Sequence, residues 1–189
     1  MEHNMYFSKF PTTEFKGKTV LDITRKAQLD TLVKASALAY MNYTVEEGEK
    51  PEDVAFYYYD SVDYAWLVLS SNNIVDPYTQ WPKTEKDLDA YIKVHYATQA
   101  GTTGDAVLEW TKNSTIGANI IHYQSHSDPN ITLNRASYLN SSTTEKAEYY
   151  PVRVYDYEFA LNESRRQIVL VNKALLPTIT DQLERVLHD

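Results

Sequence analysis

Residues 43–82 read YTVEEGEKPEDVAFYYYDSVDYAWLVLSSNNIVDPYTQWP, and the punctuation of this stretch decides the local fold. Met41 to Val45 alternates and predicts a short strand. Gly48 breaks the chain. Pro51-Glu52-Asp53 is a helix start. Proline sits in the first turn, where its missing N–H costs nothing, and the two acids lie beside the positive end of the helix dipole. That helix is expected to run to about Tyr59. Ser61 can cap a second helix in which Val62, Ala65, Trp66 and Leu69 share a face. Asn72-Asn73 suits a left-handed exit from it. Pro77 and Pro82 then bracket a turn-rich aromatic run, Asp76-Pro77-Tyr78-Thr79-Gln80-Trp81-Pro82.

The flanks read as a mixture of helix and short strand. Residues 1–19 carry Tyr6, Phe7, Phe10 and Phe15 without helical period, the pattern of an extended arm that packs on its own domain or on a neighbour. From Val20 to about Tyr40 the spacing of Leu29, Leu32, Val33 and Ser36/Ala37 is helical, with Asp22 or Thr24 as N-cap. Thr84-Glu85-Lys86-Asp87 resembles a capping box ahead of a helix through Leu88, Tyr91, Ile92, His95 and Tyr96. Residues 100–105 are a flexible link. Val107–Trp110, Ala118–Tyr123 and Ile131–Leu139 predict weak strands, and Asn140–Glu145 a surface loop. Val152–Phe159 alternates like a strand, with Val152, Val154, Asp156 and Glu158 on one face. Ile168–Val171 is a continuous apolar run, a buried strand or helix segment. A helix through Ile179, Leu183, Val186 and Leu187 closes the chain, with Pro177 tolerable only in its first turn. The fold class is α+β.

Composition removes several functions. The chain has 189 residues, enough to bury roughly 70% of its unfolded surface without a disulfide or metal. It has no cysteine, which excludes a disulfide framework, a thiolate metal site and a cysteine nucleophile. The net charge of −8 and the lack of a Lys/Arg stripe disfavour nucleic acid. No signal peptide and no membrane-length apolar run is expected. Tyrosine occurs 16 times and glycine only 5. Tyrosine suits half-wet contacts, because its ring packs while its hydroxyl finds a partner.

Catalytic constellations are weak. His122 and His126 stand i, i+4, but on strand and loop that spacing does not bring two ligands together. Ser125-His126-Ser127-Asp128 holds triad residue types, yet triads assemble from separate parts of a fold. Asp156 and Glu158, on one face of a strand, have the separation of a glycosidase pair, as do many solvated strand faces. Five glycines leave no nucleotide cradle. No catalytic, cofactor-binding or metal residue is expected, and no cofactor.

Tyr43-Thr44-Val45, the Gly48 turn, the acid-capped helix and the Asn72-Asn73-Ile74 close resemble a LysM module, a small βααβ unit that in many proteins binds N-acetylglucosamine polymers. The whole stretch resembles, more specifically, the baseplate wedge proteins of the gene-product-53 type from contractile-tailed phages. The residues that carry this are Tyr43, Val45, Gly48, Pro51, Glu52, Ala55, Trp66, Leu67, Leu69, Asn72, Asn73, Asp76, Pro77, Tyr78, Trp81 and Pro82. Val20–Arg25 and the run from Tyr157 through Leu161–Ile168 echo the same family. Residues 101–149 carry no matching motif. The chain departs from the family at Tyr59-Asp60, where Tyr-Gly is usual, a change that Asp tolerates in left-handed geometry.

The resemblance implies a LysM-like module over 41–83, preceded by an N-terminal arm and helix over 1–40. A helix, a β-rich middle region and a C-terminal strand and helix follow over 84–189. In such a module Ala55, Trp66 and Leu69 would pack the helices on a two-stranded ribbon, and Trp81 would cover one end. It implies a structural protein of the virion, made in the host cytoplasm, that joins neighbouring wedges of a six-fold baseplate. Its partners would be other wedge proteins, including the large scaffold subunits, with no nucleic acid and no membrane. The partner-contact candidates are Tyr6, Phe7 and Phe10 in the arm and Pro77, Tyr78 and Trp81 at the turn-rich end, the last three equally readable as core. The competing functions are a glycan-binding LysM module and, with little support, a wall hydrolase.

Overall fold

The computed structural model describes residues 9–24, 39–115 and 117–188 as a mixed α+β chain. Tyr6, Phe7 and the stripe Leu29–Ala37 of the expected first helix lie outside these residues. The arm is not simply extended. It forms a hairpin, β1 (Thr12–Phe15) and β2 (Lys18–Leu21), turned by Lys16 and Gly17, both at positive φ (51° and 73°). Two left-handed residues in succession match the right-handed twist of the strands. Val20 and Leu21, expected to open a helix, belong to this hairpin.

The chain divides into two compact units, Met1–Pro82 with Arg165–Asp189, and Lys83–Ser164. In the first, β3 (Tyr40–Thr44) and α1 (Pro51–Tyr59) form where the sequence placed them. The Asp53 carboxylate accepts the Lys50 N–H at 2.9 Å, which fixes the start of α1. Asp60 ends it at φ 62°, the left-handed geometry expected there. A 3-10 turn over Val62–Tyr64, capped by Ser61, leads into α2 (Ala65–Ser71). The buried pair on α2 is Leu67 and Val68, while Trp66 and Leu69 are half-buried and Val62 is exposed. Ala65, Trp66 and Leu69 of the expected stripe pack against the core from its edge, while Val62 belongs to the 3-10 turn that precedes the helix and lies exposed.

The ribbon differs from expectation in its second strand. Residues 51–82 contain helices only, ending in the single turn α3 (Pro77–Gln80). The partner of β3 is β7 (Gln167–Val171), antiparallel, with Tyr43 opposite Ile168 and Met41 opposite Leu170. Ile168, Leu170 and Val171 pack with Val45, Val54, Ala55, Tyr59, Leu67, Val68 and Trp81 in one core. The C-terminal helix α10 (Leu176–His188) adds Leu176 and Ile179 to that core. Its far end holds Phe10 against Leu183 and Leu187, with Trp66 alongside.

The second unit opens with α4 (Glu85–His95), whose cap is Thr84 accepting the Asp87 N–H at 3.1 Å. The short helix α5 (Ala97–Ala100) ends at Gly101, φ 65°. Residues 107–110 are not a strand but lie in α6 (Asp105–Lys112). Val107, Leu108 and Thr111 face the core at helical spacing, and Asp105 and Lys112 complement the dipole, a pattern a four-residue window cannot display. The sheet is three-stranded and antiparallel, ordered β5 (Thr132–Leu133), β4 (Ile120–Ser125), β6 (Tyr149–Arg153). Residues 135–139, expected as strand, form α7 (Arg135–Asn140), because Asn134 caps it by accepting the Ser137 N–H at 2.8 Å. Part of the expected loop is α8 (Thr143–Lys146), with a Ser142/Glu145 capping box.

The alternation at 152–159 spans a junction. After β6 the chain turns directly into α9 (Val154–Ser164), which buries Val154, Glu158 and Asn162 four residues apart. Leu88, Ile92, Tyr96, Val107, Leu108 and Val154 form the core of this unit.

Candidate functional site

The turn-rich end, residues 75–82, is built as a braced corner. Asp76 caps α3: its carboxylate accepts the Tyr78 N–H at 3.0 Å and the Thr79 hydroxyl at 2.7 Å. Gln80 reaches back, and its Oε1 accepts the N–H groups of both Val75 and Asp76 at 2.8 Å. The Trp81 indole is buried, and its Nε1–H donates to the Glu49 carbonyl at 2.8 Å. Glu49 in turn accepts the Tyr43 hydroxyl at 2.7 Å and the Glu46 N–H at 3.0 Å. Burial first, and then the Glu49 carboxylate, push the Tyr43 phenol well above its usual range. The corner, the Gly48 turn and β3 are thus tied together through one glutamate.

On this brace Tyr78 is 89% exposed and Val75 81% exposed. Pro77 is half-buried beside them. Of the sequence candidates, then, Phe10 and Trp81 lie in the chain's own core, Pro77 and Tyr78 share the corner, and Tyr6 and Phe7 lie outside the described residues.

Asn72 departs from the left-handed exit expected of Asn72-Asn73. Asn73 alone takes that geometry, at φ 54°. Asn72 instead bonds both backbone groups of Val169, each at 2.8 Å. Beside it, Asn73, Ile74, Gln80, Arg165, Gln167 and Ile168 line an open cleft of about 300 Å³. Sequence reasoning missed Asn72, Gln80 and Glu49 as bracing residues. Their only signal was polar residues of hydrogen-bonding type among turn formers.

The chemical candidates do not assemble. Asp156 and Glu158 sit on helix α9, not on one face of a strand. Asp156 is exposed, whereas Glu158 is buried and accepts the Tyr96 hydroxyl at 2.6 Å. Residues i and i+2 on a helix point about 200° apart, so the pair does not converge. The Ser125 and Ser127 hydroxyls bond one another at 2.9 Å, and Asp128 accepts from Asn130, which closes a turn. His126 lies against the Tyr150 ring and His122 against the Tyr157 ring. Among the described residues no group of three or more His, Cys, Asp or Glu could hold a metal ion, and no helix is long and apolar enough to cross a membrane.

The arrangement is an exposed aromatic corner on a rigid support, without a converging set of acids, bases or nucleophiles. A comparison with curated proteins gave no match. The family model described as base plate wedge protein 53 matches residues 5–186, and it runs through residues 101–149, where no motif had been found. The chain belongs to that family: it is a structural, non-enzymatic component of the phage tail baseplate, and its partners are other baseplate components.

Proposed function

We propose that the chain joins neighbouring wedges of a six-fold baseplate through protein–protein contacts, the large wedge scaffold subunits among its partners. Tyr78 carries this reading. Its side chain is almost wholly exposed, yet the loop beneath it is pinned by Asp76, Gln80 and Trp81. Aromatic residues held in place before binding are the usual anchors of interfaces, because little conformational freedom remains to be lost. Val75 and Pro77 extend the same corner.

The strand and helix order supports a second element of the reading. Strand β3, helices α1 and α2, and strand β7 follow the βααβ order of a LysM-like unit, with residues 83–164 inserted ahead of the closing strand. In this reading the module has become a joint between proteins.

The test is reconstitution with the purified wedge proteins of the same phage. Tyr78→Ala should weaken co-sedimentation at least about tenfold, the loss expected of an interface anchor, and leave the melting temperature almost unchanged. Undiminished assembly would remove Tyr78 from the interface. The cleft beside Asn73, Gln80 and Gln167 favours a second reading, glycan binding, since amide side chains suit sugar hydroxyls. Calorimetric titration with N-acetylglucosamine oligomers decides it: silence at millimolar oligomer ends that reading.

A further inference from the structure

The β1–β2 hairpin is out of keeping with the rest of the chain. All eight of its strand residues are exposed. Two-stranded hairpins are marginal in water unless a further layer covers a face. This one also presents large apolar groups, Phe15 (60% exposed), Val20 and Leu21, with Ile23 just beyond. Strand pairing sets Phe15 opposite Lys18 and Thr13 opposite Val20, so Phe15, Lys18, Val20 and Thr13 share one face. The Lys16 ammonium lies 5.2 Å from the Phe15 ring centroid. The tip is therefore aromatic and doubly cationic on a chain whose net charge is −8.

A matching surface lies on the same chain. Residues 46–53 hold five carboxylates and one lysine; Glu47 pairs with Arg166, Glu49 accepts the Tyr43 hydroxyl and Asp53 caps α1, while Glu46 and Glu52 are exposed beside them. On α1, Glu52 and Phe56 are one turn apart, as are Asp53 and Tyr57, so two acids and two aromatic rings form a continuous stripe. Phe56 is 56% exposed and Tyr57 73% exposed, with ring centroids 6.0 Å apart and edge-on. The exposed Glu46 and Glu52 offer carboxylates to the tip lysines, and Phe56 and Tyr57 offer rings to Phe15.

We infer that the hairpin of one copy docks on the α1 stripe of a second copy of this chain. The contact is head-to-tail: hairpin meets stripe, not hairpin meets hairpin. It leaves a free hairpin and a free stripe at the two ends, so it propagates into a ring or a chain of copies and does not stop at a dimer. Opposite charges set its register, and the aromatic contact supplies the apolar burial the hairpin lacks. The inference concerns contacts between copies and does not depend on the role proposed for Tyr78.

Sedimentation velocity of the purified full-length chain, across concentration and salt, tests this. Association should grow with concentration, pass beyond dimer and weaken as salt is raised. K16E/K18E, which alters exposed hairpin side chains, should abolish it. So should E46K/E52K, which alters the other partner surface. Mixing the two variants should restore association, because each supplies the surface the other lacks. The mixing arm also guards against misfolding, since a misfolded variant would not be rescued. A chain that stays monomeric at all concentrations, variants that still associate, or a mixture that does not recover would each overturn the inference. A monomeric chain whose hairpin variants fail to bind a different wedge protein would overturn it too, by giving the hairpin another occupant.

Discussion

The side chain of Asn72 closes both backbone groups of Val169. Its Oδ1 accepts the Val169 N–H and its Nδ2 donates to the Val169 carbonyl, each at 2.8 Å. These are the bonds that one residue of a further strand would make, so the amide stands in for a neighbour at the edge of β7. Nδ2 also donates to the Val68 carbonyl near the end of α2, at 2.8 Å, which joins helix to strand. The second unit uses the same device. Asn162 accepts the Lys83 N–H at 2.7 Å and donates to the Lys83 carbonyl at 2.9 Å, so the first residue of that unit is clasped to its last helix.

Asn72→Ala removes donor and acceptor at once and leaves the Val169 N–H without its partner. The expected loss is about 1 kcal/mol, the net contribution of a hydrogen bond at a partly buried site. Asn72→Asp keeps the acceptor but turns a carboxylate oxygen toward the Val169 carbonyl, so it should lose at least as much at neutral pH. Urea denaturation measures both. Wild-type stability in the alanine variant would mean that the clasp contributes nothing.

Trp81 separates packing from hydrogen bonding. Trp81→Phe keeps most of the buried ring but loses the Nε1–H bond to the Glu49 carbonyl, and should cost about 1–2 kcal/mol. Trp81→Ala also empties the ring's place in the core, and should cost about 3–5 kcal/mol. Equal losses in the two variants, read from denaturant midpoints at constant slope, would show that the hydrogen bond alone matters.

Asp60 sets a conformational term against an ion pair. It sits at φ 62°, and its carboxylate pairs with the Lys173 ammonium at the surface. Exposed pairs contribute less than about 1 kcal/mol, while a side chain in left-handed geometry costs about 1–2 kcal/mol, less for Asp than for most. Asp60→Gly and Asp60→Ala both lose the pair, so their difference isolates the backbone. The glycine variant should be the more stable by roughly 1 kcal/mol in thermal or chemical denaturation. The reverse order would refute the assignment of strain to this residue.

The sequence made legible those elements whose ends carry their own chemistry. Pro51-Glu52-Asp53, Thr84 with Asp87, and the Asp60 terminus each depend on neighbours within four residues, and each formed as read. The apolar run at 168–171 was legible as buried, but its pairing with β3 was not, because register between distant segments leaves no mark within either one. Alternation misled at Val152–Phe159, where β6 meets α9 and two periods were averaged. At the corner, the turn-rich aromatic run and the family resemblance brought Pro77 and Tyr78 forward as partner-contact candidates. The bracing by Gln80, Glu49 and Asn72 was not, because it runs through side-chain bonds that no local pattern displays. The hairpin was hidden by Lys16, a residue that rarely takes positive φ.

Three tyrosines give the fold an alkaline limit. Tyr43 donates to Glu49, Tyr59 to the Val171 carbonyl at 2.9 Å and Tyr96 to Glu158. All three phenols are held above their ordinary value near 10, chiefly by burial, and for Tyr43 and Tyr96 next by the adjoining carboxylate. The folded state therefore keeps protons that the unfolded chain releases. A pKa raised by folding contributes stability that is fully present below the unfolded value and is lost as pH climbs toward the folded one. Stability should hold level up to about pH 10 and then fall, with these three tyrosines, and Tyr40, whose phenol burial also raises, resisting ionisation until the chain unfolds. Absorbance at about 295 nm counts the phenolates, alongside urea midpoints at each pH. Tyr59→Phe should flatten the decline by removing one of these protons. Tyr96→Phe should flatten it too, but at a cost at neutral pH, because the buried Glu158 carboxylate then loses its donor. Ionisation of all the tyrosines together near pH 10, with the fold intact, would contradict the burial of these three.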